Sequence, residues 1–166
     1  MKLDSSTLIF SIGILALLMA FITWTFQGAI VERNYGLKTW SVGISCVGVS
    51  LILNFLRGEL PPALGILGAN VSLMAGGTLG LLAPTIFFQT NFSRPLVIAA
   101  LSLGAASLFA YYLFDAPIAF AMVGVCFGMS ILLVSAGALV LKEARRPLAM
   151  PARIFAWSMG LMGVAY

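Results

Sequence analysis

The sequence has 166 residues, of which 61% are hydrophobic and only 8% are charged. A soluble domain carries about 25% charged residues, so nine basic and five acidic side chains are too few to cover a water-soluble globule. The composition therefore excludes a soluble monomeric enzyme and predicts an integral membrane protein.

Residue types that are rare or missing exclude several kinds of site. The sequence contains no histidine, which removes imidazole metal sites, histidine-ligated haem and histidine-dependent nucleophilic triads. Cys46 and Cys126 each lie inside an apolar run and are interpreted as small core residues. The basic residues are scattered between apolar runs, unlike a nucleic-acid-binding face. No catalytic residue, metal, cofactor or nucleic-acid partner is predicted.

Six apolar runs follow one another along the chain, and each predicts a membrane-spanning helix. The first run, residues 8–26, follows Asp4, a plausible N-cap, and a polar first turn. Its 19 residues span about 28 Å of helix, close to the roughly 30 Å hydrocarbon core. Pro84 is expected to kink or end the third run. A cleaved signal peptide is a less favoured interpretation of the first run. The predicted spans are about 8–26, 40–56, 63–88, 96–114, 118–141 and 154–166.

The predicted fold is an all-α polytopic transmembrane helix bundle with short loops. Lipid cannot satisfy the backbone groups of an open sheet, and continuous apolar runs do not fit the alternating pattern of a β-barrel. The sixth run has only 13 residues, too few to cross comfortably. We therefore expect residues 1–166 to be one transmembrane domain of a longer protein, with a seventh span and a cytoplasmic domain after Tyr166.

The basic residues predict the orientation of the helices. Two, Lys2 and Arg57, lie at the N-terminus and in the second loop, whereas the odd-numbered loops hold the other seven. An excess of Lys and Arg marks cytoplasmic loops, so the N-terminus is predicted to be periplasmic in the inner membrane of a bacterium. The membrane-interface and topology residues are Trp40, Arg94, Lys142, Arg145, Arg146 and Arg153, together with Arg33 and Lys38.

Four polar residues around the second loop are the candidate ligand-binding residues. Arg57 and Glu59 lie beside Pro61 and Pro62 on the predicted outer side, where they are placed to contact an anionic ligand. The simpler interpretation is a solvated turn whose charges pair with each other or with lipid headgroups. Asn54 and Asn70 are the most polar residues within the spans. They are interpreted either as ligand contacts or as interhelical hydrogen-bonding residues.

Two GxxxG spacings predict close helix packing. The first joins Gly76 to Gly80 and the second joins Gly124 to Gly128. Such spacings let two helix backbones approach closely. Packing within the chain is the simpler interpretation, and formation of a homodimer is the alternative.

The first half of the chain resembles a known membrane region. The similarity extends over residues 3–77 and depends on the order and spacing of several short motifs. These motifs resemble the N-terminal multi-span membrane region of bacterial diguanylate cyclases, the GGDEF-domain signalling proteins. They are Leu3-Asp4, Thr7-Leu8, Gly36-Leu37-Lys38-Thr39-Trp40, Gly43, Gly48, Arg57-Gly58, Pro61, Asn70 and Gly76.

The resemblance implies a sensory or anchoring domain that relays a signal to a cytoplasmic cyclase. In that family the cyclase joins two GTP molecules into cyclic di-GMP and works as a dimer. No Gly-Gly-Asp-Glu-Phe motif occurs here, so enzyme activity depends on a domain beyond Tyr166. The alternatives are a structural or accessory subunit of a larger membrane complex and, less favoured, a small transporter. The spans lack the buried ionisable residue that a proton-coupled transporter needs.

Overall fold

The computed structural model describes residues 4–30, 35–91, 94–114 and 117–143 of the chain. Within these residues the structure is almost entirely helical and contains no strand, and five of its helices are long and apolar enough to cross a membrane. A short 3₁₀-helix and a π-helix lie between the second and third of them. In chain order the helices are α1 (Ser5–Ile30), α2 (Tyr35–Phe55), the 3₁₀-helix (Leu56–Gly58), the π-helix (Ala63–Gly68), α3 (Ala69–Phe88), α4 (Arg94–Phe114) and α5 (Ile118–Glu143).

Five of the six predicted spans correspond to these helices, and the sixth, 154–166, lies outside the described residues. Helix α2 begins at Tyr35, five residues before the predicted start of the second span at Trp40. The charge of Lys38 does not stop the helix, since a lysine can bury its stem and keep its ammonium at the membrane surface. The Lys38 ammonium lies 5.9 Å from the ring centroid of Trp24.

The third span does not end at Pro84, contrary to one of the two outcomes expected for this proline. Helix α3 continues through Pro84 to Phe88. It ends at Gln89, which adopts a left-handed conformation with φ of 52°. The Thr90 N–H then donates to the Thr85 carbonyl at 3.0 Å, which is the bond of a Schellman C-cap. The cap, and not the proline, therefore determines where the helix stops.

The chain divides into two compact units, Met1–Leu79 and Gly80–Tyr166. In the first unit, antiparallel helices α1 and α2 meet at Gly13 and Gly48. A methyl group on Gly48 would lie 3.0 Å from the Gly13 carbonyl oxygen, and one on Gly13 would lie 3.2 Å from the Gly48 oxygen. The two backbones are thus so close that a side chain at either position would require neighbouring atoms to shift by a few tenths of an ångström.

In the second unit, α4 and α5 pack around Ser107 and Gly124. A methyl group on Gly124 would overlap the Ser107 side chain. The Ser107 hydroxyl lies 2.8 Å from the Gly104 oxygen of its own helix and 3.3 Å from the Ala121 oxygen of α5. The surrounding core consists of apolar residues that are almost wholly buried, namely Ala100, Leu108, Ala121, Val125, Leu132 and Ala136.

Much of the helix surface is apolar and exposed. In the spanning part of α1 only 11% of the residues are buried, against 50% in the span that includes α3. Phe21 is 67% exposed and Phe114 is 78% exposed. Continuous apolar surface of this kind is unfavourable in water and is expected against lipid. The helices therefore have the length, composition and surface of a multi-pass membrane protein.

Candidate functional site at the turn between α2 and α3

The four predicted ligand-binding residues lie within the first unit, at and beside the turn that joins α2 to α3. The 3₁₀-helix carries Arg57, Glu59 follows it, and the π-helix begins after Pro62. Because Pro61 and Pro62 have no backbone N–H to donate, a regular helix cannot continue from α2 into α3. The Pro61 carbonyl accepts the N–H groups of both Leu64 and Gly65, at 2.9 and 3.0 Å. The sequence thus builds a compact turn in which the helix restarts at once.

Gly65 packs directly against Arg57 across this turn. A methyl group on Gly65 would lie 3.2 Å from the Arg57 Cα and 3.3 Å from its Cγ, whereas one on Gly58 would meet nothing within 4 Å. One helical turn further on, a methyl group on Gly68 would lie 3.5 Å from Leu53 Cδ1. The π-helix and the end of α2 are therefore in contact through glycines, and Arg57 is held at its backbone and the base of its side chain.

The two charges of the turn differ in their surroundings. Arg57 is half-buried and Glu59 is exposed. Within the described part of the chain, no carboxylate lies within ion-pair distance of the Arg57 guanidinium. The two side chains do not pair with each other, so the guanidinium is available to lipid phosphate or to a soluble anion.

Asn54 and Asn70 both donate to backbone carbonyls of the preceding helical turn. The Asn54 amide lies 3.2 Å from the Ser50 oxygen, and the Asn70 amide lies 2.7 Å from the Ile66 oxygen. Each bond joins residues four apart, and neither crosses to a neighbouring helix. Asn70 is only 8% exposed, and its partner is a carbonyl of the π-helix. It therefore supplies a donor where the widened helix meets α3, in the way that side chains re-satisfy irregular backbone inside a membrane.

Ser50 is a polar residue of this region that the sequence did not single out. Its side chain is 0% exposed, and its hydroxyl has no hydrogen-bond partner among the described residues. An unpaired buried hydroxyl costs about 1–3 kcal/mol. Ser50 shares a helix face with Gly43, Val47 and Asn54, because these positions are three or four residues apart. The sequence did carry a signal for this residue, since Ser50 is a polar residue in the middle of the second apolar run.

The first glycine of the first GxxxG spacing, Gly76, packs against α2. A methyl group on Gly76 would lie 2.7 Å from Val47 Cγ2 and 2.8 Å from the Gly43 oxygen. Gly80 is also buried. In the second spacing Gly124 faces Ser107, as described above, and Gly128 is buried. Gly76 and Gly124 therefore both form contacts within the chain.

The predicted interface residues lie near helix ends where they are described. Trp40 lies in the second turn of α2, Arg94 is the first residue of α4, and Lys142 lies in the last turn of α5. Arg94 and Lys142 are exposed. Lys38 lies in the first turn of α2, and the remaining four, Arg33, Arg145, Arg146 and Arg153, lie outside the described residues.

Neither a metal site nor a known relative points to a function. Among the described residues, no group of three or more Cys, Asp or Glu side chains is placed to hold a metal ion. Comparison of the chain with family models, with curated proteins and with solved structures found no match.

Proposed function

We propose that this chain is a sensory and anchoring domain of the bacterial inner membrane. In this proposal the turn between α2 and α3 faces the periplasm and receives the signal. A change in the packing of α1, α2 and the first half of α3 transmits this signal toward the cytoplasmic side. The seven-to-two distribution of basic residues supports the orientation, since cytoplasmic loops carry the excess of Lys and Arg.

The observation that carries the proposal is the π-helix Ala63–Gly68 packed against Arg57. Single-turn π-helices are rare and occur frequently at functional sites. This one lies between the half-buried Arg57 and the start of α3. It contacts Arg57 through Gly65 and continues directly into α3. A ligand that binds Arg57 is therefore positioned to act on the irregular turn at the top of α3.

The π-helix also supplies a physical mechanism for relay. Conversion of the π-helix to α-helix changes the number of residues per turn, and each residue of register corresponds to about 100° of rotation in an α-helix. Such a change would alter the tight contact that Gly76, further along α3, makes with Gly43 and Val47 of α2. A ligand that binds one of the two arrangements more tightly shifts the population toward it. The signal is then a change in how α2 and α3 pack.

We further propose that the output is the synthesis of cyclic di-GMP by a cytoplasmic domain encoded after Tyr166. The support is the resemblance of residues 3–77 to the membrane region of diguanylate cyclases. These residues fall entirely within the first compact unit, Met1–Leu79. Several of the motif residues also have a packing role there: Gly43 and Gly48 form helix contacts, and Arg57 packs against Gly65. A homodimer is the expected assembly, since that family of cyclases works as a dimer.

The test compares two glycine substitutions in the same turn. The complete reading frame that contains these residues is expressed in a bacterium without other cyclases, and cyclic di-GMP is quantified by mass spectrometry. Gly65→Ala places a methyl group 3.2 Å from the Arg57 Cα, whereas Gly58→Ala meets nothing within 4 Å. Gly65→Ala should change the cyclic di-GMP level by on the order of fivefold, a modest coupling energy. Gly58→Ala should leave it at the wild-type level.

Two results would contradict the proposal, and they can be told apart. If wild-type cells contain no more cyclic di-GMP than cells with an empty vector, the cyclase output is wrong. If the wild type is active and the two variants match it at equal membrane abundance, the turn does not receive or transmit the signal.

A structural or accessory subunit of a larger complex is the second candidate, favoured by the exposed apolar surface of α1. Only 11% of that span is buried, which leaves a long face available to another membrane protein. This candidate predicts co-purification with other subunits in mild detergent. A solitary species in native mass spectrometry would count against it.

A further inference from the structure

An open cleft in the second unit lies where the end of α3, the start of α4 and the end of α5 come together. Its volume is about 310 Å³, at the lower end of the roughly 300–1,000 Å³ range of small-molecule pockets. The walls are mainly apolar, and polar groups lie toward one end. The residues that define it are Leu81, Asn91, Leu96, Ser135, Leu139 and Lys142.

The polarity of the cleft changes along α5. Lys142 lies in the last turn of α5, and Ser135 lies seven residues earlier, which is about 10 Å deeper along the helix. Asn91 belongs to the turn between α3 and α4, so it lies at the same end as Lys142. At the deep end the Ser135 hydroxyl donates to the Ile131 carbonyl at 2.6 Å. The cleft is therefore polar at its mouth and apolar inside.

The charge at the mouth is positive. Among the described lining residues Lys142 is charged and none is acidic, and its side chain is exposed. A lysine ammonium binds phosphate as a compact point charge. Basic pockets between spanning helices on the cytoplasmic side are suited to anionic lipid headgroups, and the distribution of basic residues predicts that this end is cytoplasmic.

We infer that this cleft binds one anionic phospholipid of the cytoplasmic leaflet. Lys142 and Asn91 hold the headgroup phosphate, and an acyl chain lies along the apolar wall formed by Leu81, Leu96 and Leu139. A soluble anion would use the mouth alone and leave the apolar wall unfilled, whereas a phospholipid matches both ends of the cleft. This inference goes beyond the proposed sensory function, because it concerns the second unit and holds whether or not the chain relays a signal.

The test measures lipid binding by native mass spectrometry of the purified chain in mild detergent. Phosphatidylglycerol and phosphatidylcholine of the same acyl chains are added in parallel, and the bound adducts are compared. Phosphatidylglycerol should be preferred, and Lys142→Gln should weaken its binding about fivefold, which corresponds to about 1 kcal/mol for one cation near an anionic lipid. Lys142→Arg, which keeps the charge, should retain the preference.

Lys38→Gln is the matched control, because it removes one cation from the same predicted side of the membrane but in the other unit. It should leave the preference unchanged. If Lys38→Gln and Lys142→Gln weaken binding equally, the preference reflects the general charge of the chain and the site does not exist. Equal binding of the two lipids by the wild type would also overturn the inference.

A second variant tests the apolar part of the cleft. Ala138 lies in the lining and its side chain is exposed, so Ala138→Phe can place its ring in the cleft without replacing core. This variant should lose the specific adduct of phosphatidylglycerol, while its helical circular dichroism stays unchanged. Inorganic phosphate is added as a competitor to the wild type and should not displace the lipid. Displacement by phosphate would identify a simple anion site and overturn the assignment to a phospholipid.

Discussion

The contact between α2 and α3 at Gly76 makes the sharpest prediction about stability. A methyl group introduced by Gly76→Ala would lie 2.8 Å from the Gly43 oxygen and 2.7 Å from Val47 Cγ2, whereas ordinary contact begins at 3.4 Å. The oxygen belongs to the backbone and cannot rotate away, so the two helices must separate by more than half an ångström. Overpacking of this kind costs about 1–3 kcal/mol.

Gly58→Ala is the matched control for this substitution. Both changes replace glycine by alanine in helical backbone, which by itself stabilises by about 0.5–1 kcal/mol, but only Gly76 has atoms nearby. The difference between the two variants therefore isolates the contact. Thermal unfolding in detergent, followed by tryptophan fluorescence, should place Gly76→Ala below Gly58→Ala by on the order of 3–10 °C for a chain of this size. Equal midpoints, or a higher one for Gly76→Ala, would refute the close approach of α2 and α3.

Three further predictions concern buried polar and glycine positions, measured by the same unfolding assay. Gly124→Ala should destabilise by about 1–3 kcal/mol and Ser107→Gly should restore much of that loss; additive effects of the two changes would contradict their contact. Ser50→Ala should be neutral or stabilising, because its buried hydroxyl has no hydrogen-bond partner among the described residues; a clear loss of stability would show a missing partner. Asn70→Ala should destabilise by about 1–2 kcal/mol because the Ile66 carbonyl loses a donor; an unchanged midpoint would contradict that role.

The five described spans could be predicted from sequence because lipid imposes a simple requirement. A helix must be long enough and apolar enough to cross, and both properties can be counted. Helix ends were harder to predict. Helix α2 begins at Tyr35, before the apolar run that predicted the second span, because a helix can continue past a charge such as Lys38. Too much weight was given to Pro84, because the cap at Gln89 has no strong signal in the sequence.

The sequence predicted where the candidate site lies but not its local backbone structure. Arg57 and Asn70 stood out because polar residues are rare in the chain. The π-helix could not be predicted, because no residue type or spacing in Ala63–Gly68 distinguishes it from an α-helix. The cleft beside Lys142 also escaped detection, since its walls come from three helices that are far apart in sequence and its residues are individually ordinary.

The proposed orientation has these helices crossing a membrane with the turn between α2 and α3 outside and the end of α5 inside. Labelling of intact cells by a membrane-impermeant maleimide tests it directly, in a background with Cys46→Ala and Cys126→Ala. We predict that Glu59→Cys reacts in intact cells, whereas Lys142→Cys reacts only after the membrane is permeabilised. The reverse pattern, or equal labelling of both positions in intact cells, would contradict the account.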